Sequence, residues 1–161
     1  GVSNGSLLIP GAHGIKVMAD VSCAELAGEI KNGKLPDAVF CPGGMPGSTN
    51  LAQNADVSFV LKEAQRHKRI IAAICAAPAV VLAPLGLLDG KMFTCYPGME
   101  DLTKYAPAAK PEGFAAEKVV RSGTLVTSRG PATASDLGFA LAAMLTDEKT
   151  AAHVRKGMLF A

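Results

Sequence analysis

The sequence predicts an α/β domain built on a mainly parallel sheet, and three observations carry that reading. Two short apolar runs, Asp37 to Cys41 and Ile70 to Ile74, have the length and continuity of strands buried on both faces. Between them, Ala55 to His67 places Val57, Val60 and Leu61 on one side and Lys62, Glu63 and Arg66 on another, the mark of a helix with one solvated face. Such runs and helical stretches alternate along most of the chain, as βαβ units require.

In order, Leu7-Leu8-Ile9 and Ile15-Lys16-Val17-Met18 read as strands around the turn Pro10-Gly11-Ala12-His13-Gly14, with His13 a solvated turn residue. The polar residues Gly1 to Ser6 before them read as a loop and not as a signal peptide. Asp20-Val21-Ser22 offers an N-cap for a helix from Cys23 to Ile30, closed by Asn32-Gly33-Lys34-Leu35-Pro36. The strand ending at Cys41 runs into Pro42-Gly43-Gly44-Met45-Pro46-Gly47-Ser48, and Asn50 to Gln53 continues into the helical stretch. Residues Ala76 to Ala83 read as a helix with Pro78 near its start, where a missing N–H matters least.

Met92-Phe93-Thr94 is a further strand, and Met99 to Gly113 reads as a polar surface loop or short helix. Glu117 to Arg121 and Thr124 to Thr127, joined by Ser122-Gly123, have the form of a hairpin. Helices are predicted over Ala134 to Leu145 and Asp147 to Lys156.

Composition narrows the function classes. The chain has 161 residues, 49% of them hydrophobic, enough for one domain over residues 1–161 with its own core. A net charge of +2, no Trp and two Tyr argue against a nucleic-acid surface. Ile70 to Leu88 lacks charge, but Pro78, Pro84 and Gly86 interrupt it, which argues against a membrane span. Cys23, Cys41, Cys75 and Cys95 include no close pair, a spacing that suits neither a zinc site nor a disulfide framework. Reduced thiols in a cytoplasmic setting are the simplest account. Gly86 to Lys91 is rejected as a phosphate loop, because its spacing is wrong and Met92 stands where Ser or Thr is required.

The stretch that carries chemistry is Ile70-Ile71-Ala72-Ala73-Ile74-Cys75-Ala76-Ala77-Pro78. Cys75 falls at the turn from strand to helix, where free N–H groups and the helix dipole favour a thiolate. It alone of the four cysteines is expected at a helix N-terminus beside glycine amides. The stretch by itself supports an inert core cysteine and a reactive one equally. The pair Gly43-Gly44 lets backbone N–H groups approach a ligand if its strand lies beside Ile70–Ile74.

Val39-Phe40-Cys41-Pro42-Gly43-Gly44, Ala72-Ala73-Ile74-Cys75-Ala76-Ala77-Pro78 and Thr127-Ser128-Arg129-Gly130-Pro131-Ala132-Thr133 together resemble the ThiJ/PfpI superfamily, in the branch of the parkinsonism-associated deglycase. The resemblance runs from about Ile15 to the end of the chain. It implies a flavodoxin-like sandwich and a homodimer. It makes Cys75 the nucleophile-elbow cysteine, easily oxidised to sulfinate, and the Gly44 and Ala76 amides the oxyanion site, with Gly43 and Tyr96 at the substrate. Members are described as glyoxalases, deglycases, redox-responsive chaperones and, in another branch, proteases. Older descriptions place some in thiazole monophosphate synthesis.

Two departures stand out. In this branch a glutamate from the first strand–helix junction touches the cysteine, and Glu25, Glu29 and Glu63 lie in other segments. Many relatives carry histidine where Tyr96 stands, so Tyr96 contributes a hydroxyl or only a wall. His13, His67 and His153 are not aligned with the site.

The leading expectation is a cysteine-dependent enzyme acting on small reactive carbonyls, such as an aldehyde or a glycated group, with no metal or organic cofactor. The rival is a redox sensor or chaperone in which oxidation of Cys75 changes binding. A first strand and helix are expected as a separate N-terminal peptide, with Gly1 at a nick, and that peptide would bring the glutamate. Without it, Ile70–Ile74 and Val39–Cys41 are expected to lie partly open to water.

Overall fold

The computed structural model describes residues 6–160; the loop expected over Gly1 to Ser6 lies, apart from Ser6, outside them. The first two strands, β1 (Leu8–Pro10) and β2 (Lys16–Met18), form an antiparallel hairpin with Ile9 opposite Val17. Helix α1 (Cys23–Lys31) follows a capping box: Ser22 Oγ accepts from the Glu25 N–H at 3.1 Å, and Glu25 Oε2 accepts from the Ser22 N–H at 2.7 Å. Then come β3 (Ala38–Cys41), α2 (Gly47–Gln53), α3 (Ala55–Arg66) and β4 (Ile70–Ile74). Asn54 caps α3, accepting from the Val57 N–H at 3.0 Å.

Two short strands, β5 (Met92–Phe93) and β6 (Gly113–Phe114), pair in parallel. The hairpin expected near residue 123 is β7 (Val119–Ser122) and β8 (Leu125–Ser128), turned at Gly123 with φ +65°. Helices α4 (Ala134–Leu145) and α5 (Glu148–Gly157) end the chain, α5 capped by Asp147.

The principal sheet has the order β3-β4-β8-β7, with β3, β4 and β8 parallel and β7 antiparallel. Strand β4 is its centre. Ile71 pairs with Val39 on one side and Leu125 on the other. Because side chains alternate along a strand, β4 feeds two cores. Ile71 and Ala73 join Val57, Leu61, Leu82, Phe93 and Leu125 on one face. Ala72 and Ile74 join Val126 and Leu137 of α4 on the other. A smaller cluster of Ala27, Ile30 and Val60 ties α1 to α3.

Several expectations are corrected. Strand β4 is closed to water from Ile71 to Ile74, whereas β3 is the partly open one, with Phe40 50% exposed. The cause is position: among the described residues β3 pairs only with β4, so it is an edge and not a strand buried on both faces. The segment Met99 to Gly113 is not wholly superficial. It holds a short 3₁₀ turn, Leu102–Lys104, and buries Leu102 and Ala106 in the larger core. Strand β5 ends at Phe93 and belongs to the small sheet with β6.

The helix expected over Ala76 to Ala83 is a turn, then a π-helical segment, Pro78–Leu82, then a 3₁₀ turn, Ala83–Leu85. Pro84 explains the change. It has no N–H for the Val80 carbonyl four residues back, and its ring crowds that carbonyl. The backbone widens instead, and the Ala83 N–H reaches back five residues to the Pro78 carbonyl. The chain then turns at Gly86, φ +71°. Among the described residues no helix is long and apolar enough to cross a membrane.

Candidate active site

Cys75 lies at the carboxyl end of the central strand β4, as the sequence predicts. Its φ is +64°, a left-handed conformation that a residue with a Cβ seldom adopts. Two main-chain hydrogen bonds hold it there. The Cys75 N–H donates to the Ser128 carbonyl at 2.9 Å, and the Cys75 carbonyl accepts from the Tyr96 N–H at 2.9 Å. Strain of this kind persists only where neighbours enforce it, and it concentrates at functional positions.

The third neighbour is Gly43. A Cβ on Gly43 would lie 2.5 Å from Cys75 Cβ, 2.6 Å from the Ile74 carbonyl oxygen and 3.3 Å from the Ala76 nitrogen. Only glycine allows this approach, and it follows from the parallel pairing of β3 with β4, which brings both strand ends to one place. Gly44 takes φ +85°, and a Cβ on it would meet nothing within 4 Å. Among the described residues, neither the Gly44 nor the Ala76 N–H is engaged by a backbone acceptor of the chain. Gly43 thus lies against Cys75 and Ala76, and Gly44 follows it in the loop.

Tyr96 joins them through its backbone. Its side chain is 47% exposed, and its ring lies beside Gly130. Thr94 precedes it on the buried side, its N–H donating to Thr127 Oγ1 at 2.9 Å. The end of β8 therefore has roles that residue types alone did not reveal. Ser128 supplies a main-chain carbonyl to Cys75, while its hydroxyl is tied to the Lys118 carbonyl at 2.8 Å.

Two expectations need correction. The element after Cys75 is short and irregular, so any support for charge at the cysteine comes from individual N–H groups and not from a long helix dipole. Cys75 is also not alone at a helix start. Cys23 is the first residue of α1 and is likewise only partly buried. Cys23, Gly43, Gly44 and Met45 line a cavity of about 520 Å³ beside the β1–β2 hairpin. Cys75 is behind Gly43 and does not line that cavity.

Glu25 is occupied in the α1 capping box, and Glu63 pairs with Arg66 at 2.6 Å and faces His67 at 3.7 Å. Burial pushes the Cys41 thiol up to about 12. Burial also takes Cys95 up to about 12, helped by Glu100 and opposed by Arg129. Among the described residues no group of three or more His, Cys, Asp or Glu is placed to hold a metal ion.

Two outcomes follow. With pKa values of about 12, roughly one Cys41 or Cys95 in 10⁵ is ionised at pH 7. Alkylation at that pH should mark Cys75 and Cys23 and spare Cys41 and Cys95, which become reactive only as pH rises towards 12; peptide mass spectrometry reads the order. Gly43→Ala should slow Cys75 alkylation or unfold the domain, since its methyl group collides with backbone that has nowhere to move. Overpacking of this kind costs about 1–3 kcal/mol or more, measurable by urea denaturation.

Compared with known proteins, residues 2–144 match the DJ-1/PfpI family. Protein dj-1beta of Drosophila melanogaster is 34% identical over 161 residues, covering 98% of this chain and 79% of that protein. Its crystal structure superposes with a TM-score of 0.86 at 32% identity, covering 98% of this chain and 80% of that one. Protein DJ-1 homolog B of Arabidopsis thaliana is 33% identical over 147 residues, 91% of this chain but only 31% of that protein. Glutathione-independent glyoxalase DJR-1.2 of Caenorhabditis elegans is 32% identical over 140 residues, 86% of this chain and 69% of that protein. The chain thus spans from about a third to four-fifths of the length of these relatives. The fold is the flavodoxin-like α/β fold of the structures it matches, and the chain belongs to the DJ-1/PfpI family.

Proposed function

We propose that the protein is a cysteine-dependent enzyme acting on small reactive carbonyls, of glyoxalase or deglycase type. The observation that carries the reading is Cys75 held in a left-handed conformation with Gly43 packed against it and against the Ala76 nitrogen. A relative described as a glutathione-independent glyoxalase supports it.

In this reading the Cys75 thiolate adds to the aldehyde carbon of methylglyoxal. A C–S bond forms, and the carbonyl π electrons pass to oxygen as an alkoxide. The Gly44 and Ala76 N–H groups stabilise that oxygen, a contribution of about 10²–10³ in rate per donor in well-built sites. A base then moves the proton from the former aldehyde carbon to its neighbour, giving a thioester of lactate, which water hydrolyses to lactate and free Cys75. Tyr96 stands at the rim as a wall or a hydroxyl donor.

A second reading, redox sensing or chaperone action through oxidation of Cys75, is favoured by one contrast. Cys75 is partly exposed, while Cys41 and Cys95 are buried. Lactate formation from methylglyoxal separates the two. Turnover that disappears in Cys75→Ser supports the enzyme. Selective oxidation of Cys75 by mild peroxide, without any turnover, favours the sensor.

A homodimer belongs to the same proposal. The β1–β2 hairpin exposes Ile15, Val17 and Met18 at 72%, 61% and 65%, apolar area of the sort a partner copy would cover. Light scattering should give the mass of two chains at micromolar concentration; a single-chain mass would remove this part of the proposal.

A further inference from the structure

Arg129 carries an unmet demand beside the candidate site. It follows Ser128, whose carbonyl receives the Cys75 N–H at 2.9 Å, and it precedes Gly130, against which the Tyr96 ring lies. Its guanidinium carbon sits 5.8 Å from the centre of the Phe114 ring, so the planar group is held by stacking. Phe114 is itself fixed edge-on against buried Phe93 at 5.6 Å. One guanidinium nitrogen, Nη1, is buried and has no hydrogen-bond partner among the described residues.

A buried charged donor without a partner is unfavourable, and folded proteins rarely leave one unless a ligand or water completes it. Glu100 is the nearby carboxylate. It acts on the Cys95 thiol in the opposite sense to Arg129, yet among the described residues no ion pair joins the two side chains. The Arg129 charge is therefore felt at Cys95, the neighbour of Tyr96, and the guanidinium is held against Phe114 with Nη1 unpartnered.

We propose that Arg129 determines specificity at Cys75 by receiving the carboxylate of an anionic carbonyl substrate, the class of small aldehydes that also bear a carboxylate. The inference rests on Cys75 being the nucleophile and deepens that reading. A guanidinium fits a carboxylate through paired N–H donors, which a neutral aldehyde cannot use. Glyoxylate is the simplest member of the class. Its aldehyde carbon would take the Cys75 sulfur, its aldehyde oxygen would become the alkoxide, and its carboxylate would remain unchanged on Arg129.

The test uses two alkylating agents of similar size, anionic iodoacetate and neutral iodoacetamide. Each reacts by displacement: the thiolate sulfur bonds to the CH₂ carbon and iodide leaves with the C–I electron pair. The rate ratio of iodoacetate to iodoacetamide is measured at Cys75 and at Cys23 of the same molecule by peptide mass spectrometry. The ratio at Cys75 should exceed that at Cys23 by about fivefold or more at low salt, from the local positive charge. Arg129→Gln should abolish that excess, and Arg129→Lys should retain most of it. Equal ratios at the two cysteines in the wild-type protein would overturn the proposal, whether or not either variant folds. An excess that survives in folded Arg129→Gln would also overturn it. A high ratio at Cys75 without lactate formation would sink the glyoxalase reading and leave the anion preference standing. Lactate formation with equal ratios would do the reverse.

Discussion

The approach of Gly43 to Cys75 is the constraint on which the rest depends. The two residues end adjacent parallel strands, and their backbones meet so closely that no side-chain atom fits between them. That contact pins the loop after β3 to the turn after β4. It helps keep Cys75 in a left-handed conformation it would otherwise leave. A glycine is required there by the space and not by φ, whereas its neighbour Gly44 is required by φ and not by space. The pair thus divides two tasks that one residue type satisfies for separate reasons.

The opposite side of the cysteine is held by main chain alone. Ser128 accepts from the Cys75 N–H, and Tyr96 donates to the Cys75 carbonyl. The residue types at 96 and 128 can therefore vary without moving the cysteine backbone, while their side chains lie elsewhere: Ser128 secures β8 to the residues before β7, and Tyr96 is half exposed beside Gly130. Separation of backbone positioning from side-chain identity fits an α/β scaffold that carries varied chemistry at the ends of its strands.

Much of this was legible in the sequence, and the illegible parts have physical reasons. Apolar continuity announces β4, and the 3.6-residue pattern with Asn54 before it announces α3, because burial itself selects those residues. Strand β6 gave no signal: Gly113–Phe114 is two residues inside a polar segment and pairs only through contacts far away in the chain. The edge position of β3 was hidden, since an apolar run does not say how many neighbours it will have. The widened turn after Cys75 was missed because its cause, Pro84, stands beyond the segment it reshapes. Ser128 stands in the Thr127–Thr133 motif, but its role was not legible because it acts on Cys75 through a carbonyl that every residue owns. Cys23 was undervalued although Ser22 and Glu25 spell out a helix start immediately around it.

Strand β4 sits between β3 and β8 and sends alternate side chains into both cores, with Ala72 and Ala73 wholly enclosed. Such a strand cannot come loose by itself, because freeing it opens two interiors together. Local fluctuation in a folded protein belongs to segments with few enclosed neighbours, and β4 is the reverse case. Cys75 is attached to its end. The cysteine is thereby coupled to the cooperative unit of the whole domain, so its chemistry should report on global integrity: the site switches off when the domain melts, not before.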